Sequence, residues 1–404
     1  MLASLNLEKT YQFLLISLAF LLPITVFGAN LVIILICVLW IFSGNYKDKF
    51  YQIIDSKLIL SSIVFFCLHV IGLLWTNDIS WGFHIIHKMW YFIGLFPILY
   101  TIVQAKHIKH YIYAFIMAMA VTEICSYLIW LELIEPFKNA TVYNPTPFMS
   151  HISYNPILAF AIYLVLHEVF FNKKLSNLLF SLYSFFAISM SVNMFITGGR
   201  AGHVAFFAML VILIFQVFDK QRIKSLLVIM IIIPTIFTTA YQFSDLFKKR
   251  VDSTIAEVYE TASTFRTTNR GTSIGMRINF TINSFDLIKE NPILGVGTGD
   301  FPAEYSKVNQ INSPGLPDTG NPHNMYTLVW TQLGLVGLLS MFSIFYYQIK
   351  LSNNSHSKFL RDVGITLPLI FLVLMLSDSY LLGHYTTLMF IFFSSFLYND
   401  FEKK

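Results

Sequence analysis

Ser225-Leu226-Leu227-Val228-Ile229-Met230-Ile231-Ile232-Ile233-Pro234-Thr235-Ile236-Phe237-Thr238-Thr239-Ala240-Tyr241-Gln242-Phe243 carries no charge over its whole length. A bilayer core about 30 Å thick takes about 20 such residues as one helix, because lipid offers the backbone no hydrogen-bond partner. The same reading applies outward in both directions. It gives candidate spans at 11–27, 29–43, 58–75, 89–104, 110–131, 154–171, 176–197, 201–218, 225–243, 325–348, 363–380 and 382–398. The chain is expected to be an all-α polytopic membrane protein of about twelve transmembrane helices, one membrane domain over 1–404. The least defined splits are at Gly28–Asn30 and Gly383.

Composition agrees. The chain has 404 residues, 56% hydrophobic, 17% aromatic and 12% charged, with a mean hydropathy of +0.64. A soluble domain carries about 25% charged residues. Half that fraction excludes a cytosolic globular enzyme, a disordered chain and a secreted disulfide scaffold. Cys37, Cys67 and Cys125 lie in apolar runs without metal-ligand spacing and read as packing residues. Residues 11–27 lack a convincing cleavage site and read as a first span, not a signal peptide.

Basic residues orient the spans. With the N-terminus inside, cytoplasmic segments hold Lys9, Lys47, Lys49, Lys57, Lys106, Lys109, Lys173, Lys174, Lys220, Arg222, Lys224, Lys350, Lys358, Arg361, Lys403 and Lys404. Short outside segments hold only Lys88, Lys138 and Arg200. Both termini are therefore expected in the cytoplasm. The one long loop, 244–323 between spans nine and ten, is expected on the outer face. Within it, 259–273 is Ser/Thr-rich and reads as mobile. Ile274, Ile278, Ile282, Phe285 and Ile288 recur at helical spacing and read as the packed stripe of an amphipathic helix. Asn291-Pro292 ends that helix. Gly295-Val296-Gly297-Thr298-Gly299 reads as a tight turn, since it follows no strand and so does not suit a nucleotide loop.

Polar residues cluster at the outer boundary. In Asn321-Pro322-His323-Asn324, Asn321 suits a helix cap and Pro322 the first helical position. His323 would then lie in the first turn of span ten, where the helix field favours a neutral imidazole, the form a general base needs. The alternative is an interfacial histidine that only caps or packs. Arg200 lies in Thr197-Gly198-Gly199-Arg200-Ala201-Gly202. A guanidinium so near hydrocarbon needs a partner or an anionic ligand, and its fork matches phosphate oxygens; a snorkelling anchor is the alternative. Arg277 flanks the loop helix and either points to a site or is solvated. Lys88, placed in a short outside loop with Trp75, Asp78 and Trp81, reads as a phosphate contact or an anchor. Asp378 is a carboxylate near the outer end of span eleven that could pair with a cation or orient His323. His151 and Tyr154, opening span six, are weaker candidates. With no Walker, His-Glu-x-x-His or Asp-x-Asp motif, neither metal nor nucleotide-sugar chemistry is indicated, and no cofactor is expected.

These residues resemble a known family. His323-Asn324, nine residues, Gly334, two residues and Gly337 are similar to the His-Asn-x9-Gly-x-x-Gly pattern of bacterial O-antigen ligases. Asn291-Pro292-Ile293-Leu294-Gly295-Val296-Gly297-Thr298-Gly299-Asp300-Phe301 resembles that superfamily's Asn-Pro-x-x-Gly-x-Gly-x-x-x-Phe segment. Arg277 and Arg200 sit where the family has its arginines. The resemblance covers 195–340. It implies a bacterial inner-membrane glycosyltransferase of lipopolysaccharide biosynthesis with its active site facing the periplasm. It moves a glycan from undecaprenyl diphosphate to a hydroxyl of lipid A–core, without metal and with inversion. His323 would be the base, Arg200 and Arg277 would hold the diphosphate, and Asn324 would support His323. An O-antigen polymerase, a protein O-oligosaccharyltransferase and a transporter or flippase are the alternatives, in that order. A transporter predicts ionisable residues near the bilayer midplane, whereas the distinctive polar residues here sit at its edge.

Overall fold

The computed structural model describes residues 2–138, 140–263, 272–399 and 401. Residues 264–271, most of the segment expected to be mobile, lie outside them. The regular elements among the described residues are all helices, with one isolated bridge between Thr141 and Asn144.

The helices are α1 (Leu2–Leu21), α2 (Val26–Phe42), α3 (Tyr46–Asp55), α4 (Lys57–Ile71), α5 (Ile79–Trp90), α6 (Phe96–Ile102), α7 (Ile108–Trp130), α8 (His151–Phe171) and α9 (Asn177–Ile196). Then come α10 (Arg200–Val217), α11 (Arg222–Phe243), α12 (Asp245–Ser263), α13 (Ser273–Glu290), α14 (Phe301–Asn312), α15 (Met325–Asn353), α16 (Lys358–Leu374) and α17 (His384–Leu397).

Among the described residues, eight helical segments are long and apolar enough to cross a membrane: 57–75, 79–102, 105–130, 151–171, 177–196, 200–217, 222–243 and 325–353. A ninth is added if α2 and α3, bent by 116°, count as one. This is a multi-pass membrane protein. The other expected spans are helical, but α16 has 17 residues and α17 has 14, short of the roughly 20 that a bilayer core takes. The expected split at Gly383 is present, with Gly383 at the cap of α17. The first split falls earlier than expected, at residues 22–25. Pro23 cannot continue the helix, and the Thr25 hydroxyl accepts the Gly28 N–H to start the next.

The chain forms two compact units. The first comprises Met1–Ser43 and Val103–Val251; the second comprises Gly44–Ile102 and Asp252–Lys404. In the first, α8 packs between α9 and α10, and α1 lies along α7. Packing of α10 on α8 needs Gly202, where a Cβ would stand 2.1 Å from the Asn155 Cβ. In the second, α15 packs on α4, α16 and α13.

The loop helix α13 forms as expected, but its packed face differs. Gly275, Asn279, Phe280, Asn283, Ser284, Leu287 and Ile288 are buried, while Ile282 and Phe285 are exposed. The face turned inward mixes Phe280, Leu287 and Ile288 with polar residues, and the polar ones are buried because they meet polar partners. The Asn283 side-chain amide donates to Asn309 Oδ1 (3.2 Å), and the Ser313 hydroxyl donates to Asn279 Oδ1 (2.8 Å). Buried amides are stable only when paired in this way.

Candidate active site

Helix α15 does not run straight. At Gly334 the backbone takes φ 64°, ψ −162°, and the helical ladder breaks. Several of the freed groups find partners in 292–299. Val296 N–H donates to Thr331 O (2.9 Å), Gly297 N–H to Gln332 O (3.0 Å) and Leu335 N–H to Pro292 O (2.9 Å). Gly299 N–H donates to the Gln332 side chain at 2.9 Å. A Cβ on Gly334 would stand 2.1 Å from the Ile293 backbone, and one on Gly295 2.4 Å from that of Gln332. The two motifs are thus one clasp, and Gly334 and Gly295 are required where backbone meets backbone. The expected tight turn is there, with φ of 72°, 113° and 102° at Gly295, Gly297 and Gly299.

Asp300 extends the clasp. Its fully buried carboxylate accepts the Thr76 hydroxyl (2.6 Å) and the N–H groups of Asn77 (2.9 Å) and Asp78 (2.7 Å). Asp78 in turn caps α5 by accepting the Trp81 N–H. The sequence reading passed over Asp300, although a carboxylate directly after a Gly-rich turn and before a helix was a usable signal.

His323 stands outside the helix. The cap of α15 is Asn324, whose side chain accepts the Thr327 N–H, and the first helical residue is Met325. This corrects the expectation that Asn321 caps and His323 sits in the first turn. The physical reason is local. Asn321 Oδ1 accepts the His323 N–H at 3.0 Å, which holds His323 at a left-handed φ of 53°. Asn321 also donates to Asp378 Oδ1 (3.0 Å) and accepts the Ser379 hydroxyl (2.9 Å). His323 Nδ1 lies 3.3 Å from Asp378 Oδ1, within charge-pair range but outside strict hydrogen-bond alignment. The imidazole stacks near Phe280 of α13, with ring centroids 6.2 Å apart. Its side chain is 37% exposed and that of Asp378 20%.

Asp378 sits in the turn between α16 and α17. Burial pushes its carboxyl up, but His323, the Ser379 N–H and the Asn321 amide outweigh burial and hold it below the ordinary carboxylate value. Tyr380, two residues on, is raised by burial and by Asp378, while the Arg277 charge pulls it down. Arg277 is exposed on α13, one turn before Phe280. The second unit thus brings His323, Asp378 and Tyr380 together at one turn, with Arg277 one helical turn from the Phe280 that packs near His323. Asn324 is spent on the cap, with a long second bond to Leu376 O (3.5 Å). Lys88 is half-buried in the last turn of α5, not in a loop, because the Asp78 cap starts that helix early.

Arg200 belongs to the first unit. It is the first residue of α10, after Gly199. Gly198 N–H donates to Asn144 Oδ1 (3.0 Å), and the Asn144 amide meets His151 Nδ1 (2.9 Å). The Arg250 guanidinium lies against Gly198, 3.1 Å from where a Cβ would stand. Arg250 closes the basic stretch Lys248-Lys249-Arg250 near the start of the long loop. Tyr154 is fully buried and donates to Asn193. Between α8, α9, α10 and α11 lies an apolar cavity of about 1030 Å³, with Phe195 and Ser244 at one end and Val217 and Phe218 at the other.

The fold and site define a multi-pass helical membrane protein with a histidine–carboxylate pair at the mouth of a broken helix. Residues 185–342 match the sequence family described as O-Antigen ligase. An uncharacterized protein of Haemophilus influenzae is 30% identical over 239 residues, covering 55% of this chain and 57% of the relative. The chain therefore spans little more than half the length of that protein.

Proposed function

We propose that this protein is a glycosyltransferase of the inner membrane that moves a glycan from undecaprenyl diphosphate to a hydroxyl of lipid A–core on the periplasmic face. The pairing of His323 with Asp378 carries this reading. With its proton on Nδ1 facing the carboxylate, the imidazole keeps Nε2 free to accept a proton. The acceptor oxygen attacks the anomeric carbon and its proton passes to Nε2. The bond from that carbon to the diphosphate oxygen breaks on the opposite face, so configuration inverts. Base catalysis of this kind contributes about 10²–10⁴-fold. Arg277 is assigned to the leaving diphosphate, whose developing charge it would stabilise, and the family resemblance is what assigns Arg200 to the same group. These are two separate assignments, each testable alone. No step is assigned to a metal. The apolar cavity of the first unit suits hydrocarbon, as a lipid-borne substrate requires. Positioning two membrane-held substrates supplies the remaining acceleration.

The test offers purified protein one undecaprenyl-diphosphate glycan with lipid A–core, a second lipid-linked glycan or a pilin-like protein. Product on lipid A–core is expected. Product on the lipid-linked glycan would make it a polymerase, and product on protein an O-oligosaccharyltransferase. Translocation with no product would overturn the enzyme reading.

A further inference from the structure

Helix α5 has three faces. Gly82, Ile85 and Met89 are buried, and Ile79 and Phe83 are exposed apolar residues. Trp81, His84 and Lys88, spaced three and four residues apart, form a third, polar and aromatic face. Polar groups on a helix that enters a membrane face protein, water or a ligand in preference to lipid. Trp81 and His84 pack with ring centroids 4.8 Å apart and their planes tilted by 31°, and Trp81 stays 37% exposed. One edge of the indole meets the loop before His323, with Cζ2 3.5 Å from where a Gly320 Cβ would stand. Gly320 directly precedes Asn321, the residue that holds both His323 and Asp378.

The clasp fixes this placement. Trp81 N–H is held by Asp78, the Asp78 N–H by Asp300, and the neighbouring Gly299 by Gln332 of α15. Helix α15 begins two residues after His323. The indole and the imidazole are therefore carried on one backbone frame. The same frame needs Gly82, where a Cβ would stand 2.8 Å from Thr298 O.

We propose that Trp81, backed by His84, is a saccharide platform that seats a pyranose ring of the glycan beside His323. The proposal rests on the glycan-transfer reading and adds the residue that grips the sugar. The face of a pyranose presents C–H groups with partial positive charge, and the indole face is negative. An indole held against a neighbouring ring binds such a face with less conformational entropy to lose than a free side chain. The same chemistry serves a donor or an acceptor sugar.

The test measures binding by the full-length protein in detergent, using undecaprenyl diphosphate, an undecaprenyl-diphosphate glycan and lipid A–core as probes. Trp81→Ala is expected to weaken one sugar-bearing probe about tenfold, and His84→Ala to weaken it less. Trp81→Phe is expected to hold near wild type, and bare undecaprenyl diphosphate to bind unchanged. The probe that weakens identifies whether the donor or the acceptor sugar is seated. Unchanged binding of both sugar-bearing probes in Trp81→Ala and His84→Ala overturns the platform, and if wild-type transfer is normal the catalytic reading stands. Equal weakening of bare undecaprenyl diphosphate also overturns it, since Trp81 would then be a lipid anchor. A wild-type protein that transfers nothing and binds the glycosylated lipid no better than the bare lipid overturns both.

Discussion

The turns that carry Arg200 and His323 each deliver a polar side chain to the start of an apolar helix, and they do so by opposite means. At Arg200 the work is steric. Gly199 and Gly202 let α10 approach Asn155 of α8, and the arginine is simply the first helical residue. At His323 the work is polar. An Asn321 bridge, a carboxylate and a left-handed backbone hold the imidazole outside the helix. Small residues next to an arginine are visible in a sequence. A network that joins residues 321 and 378 is not.

That contrast can be broken most strongly at the clasp that supports the His323 turn. Gly334→Ala puts a Cβ into a backbone and a side chain into a φ/ψ region kept for glycine. It should cost about 3 kcal/mol or more, read as a lower thermal midpoint of the detergent-solubilised protein. Gly202→Ala tests the steric turn and should cost about 1–3 kcal/mol. Equal midpoints for both variants and wild type would remove the distinction. Next in size, Arg277→Lys and Arg200→Lys should each reduce donor use about 10–100-fold, since a lysine cannot make the bidentate contact. Donor saturation curves measure this, and unchanged curves for either variant withdraw that assignment.

Asp378→Asn sharpens the polar side and should lower turnover about tenfold through loss of imidazole orientation. It also carries a pH signature. The Asp378 carboxyl is held below its ordinary value in the fold. Its contribution to stability is therefore present above the ordinary carboxylate pKa and lost as pH falls through the lowered native one. Melting curves should show wild type ahead of Asp378→Asn near neutrality, with the gap closing in acid. A gap that is constant with pH would mean that the carboxylate charge plays no part.

The long apolar runs were legible because the 225–243 pattern has few other physical outcomes. The turn at Gly295–Gly299 and the split at Gly383 were legible for a similar reason, since glycine marks backbone that other residues cannot follow. The packed face of α13 was not. Its isoleucine stripe looks inward by soluble-protein logic, but Asn279 and Asn283 turn inward because they meet Asn309 and Ser313 from a distant segment. The break at Gly334 was equally hidden. A helix can open there only because residues 292–299 return to take its freed groups, and no local pattern records that return. In the site, His323, Asp378 and Arg277 were identifiable as residue types at the membrane edge. Asn321 as their bridge, and Asp300 as the anchor behind them, depend on pairings more than fifty and two hundred residues apart respectively.

The most direct measurement is glycan transfer by His323→Ala protein that still binds the undecaprenyl-diphosphate glycan. A turnover loss of about 10²–10⁴-fold with donor affinity unchanged is the expected result. Near-normal turnover would contradict the assignment of the proton-accepting step to this imidazole.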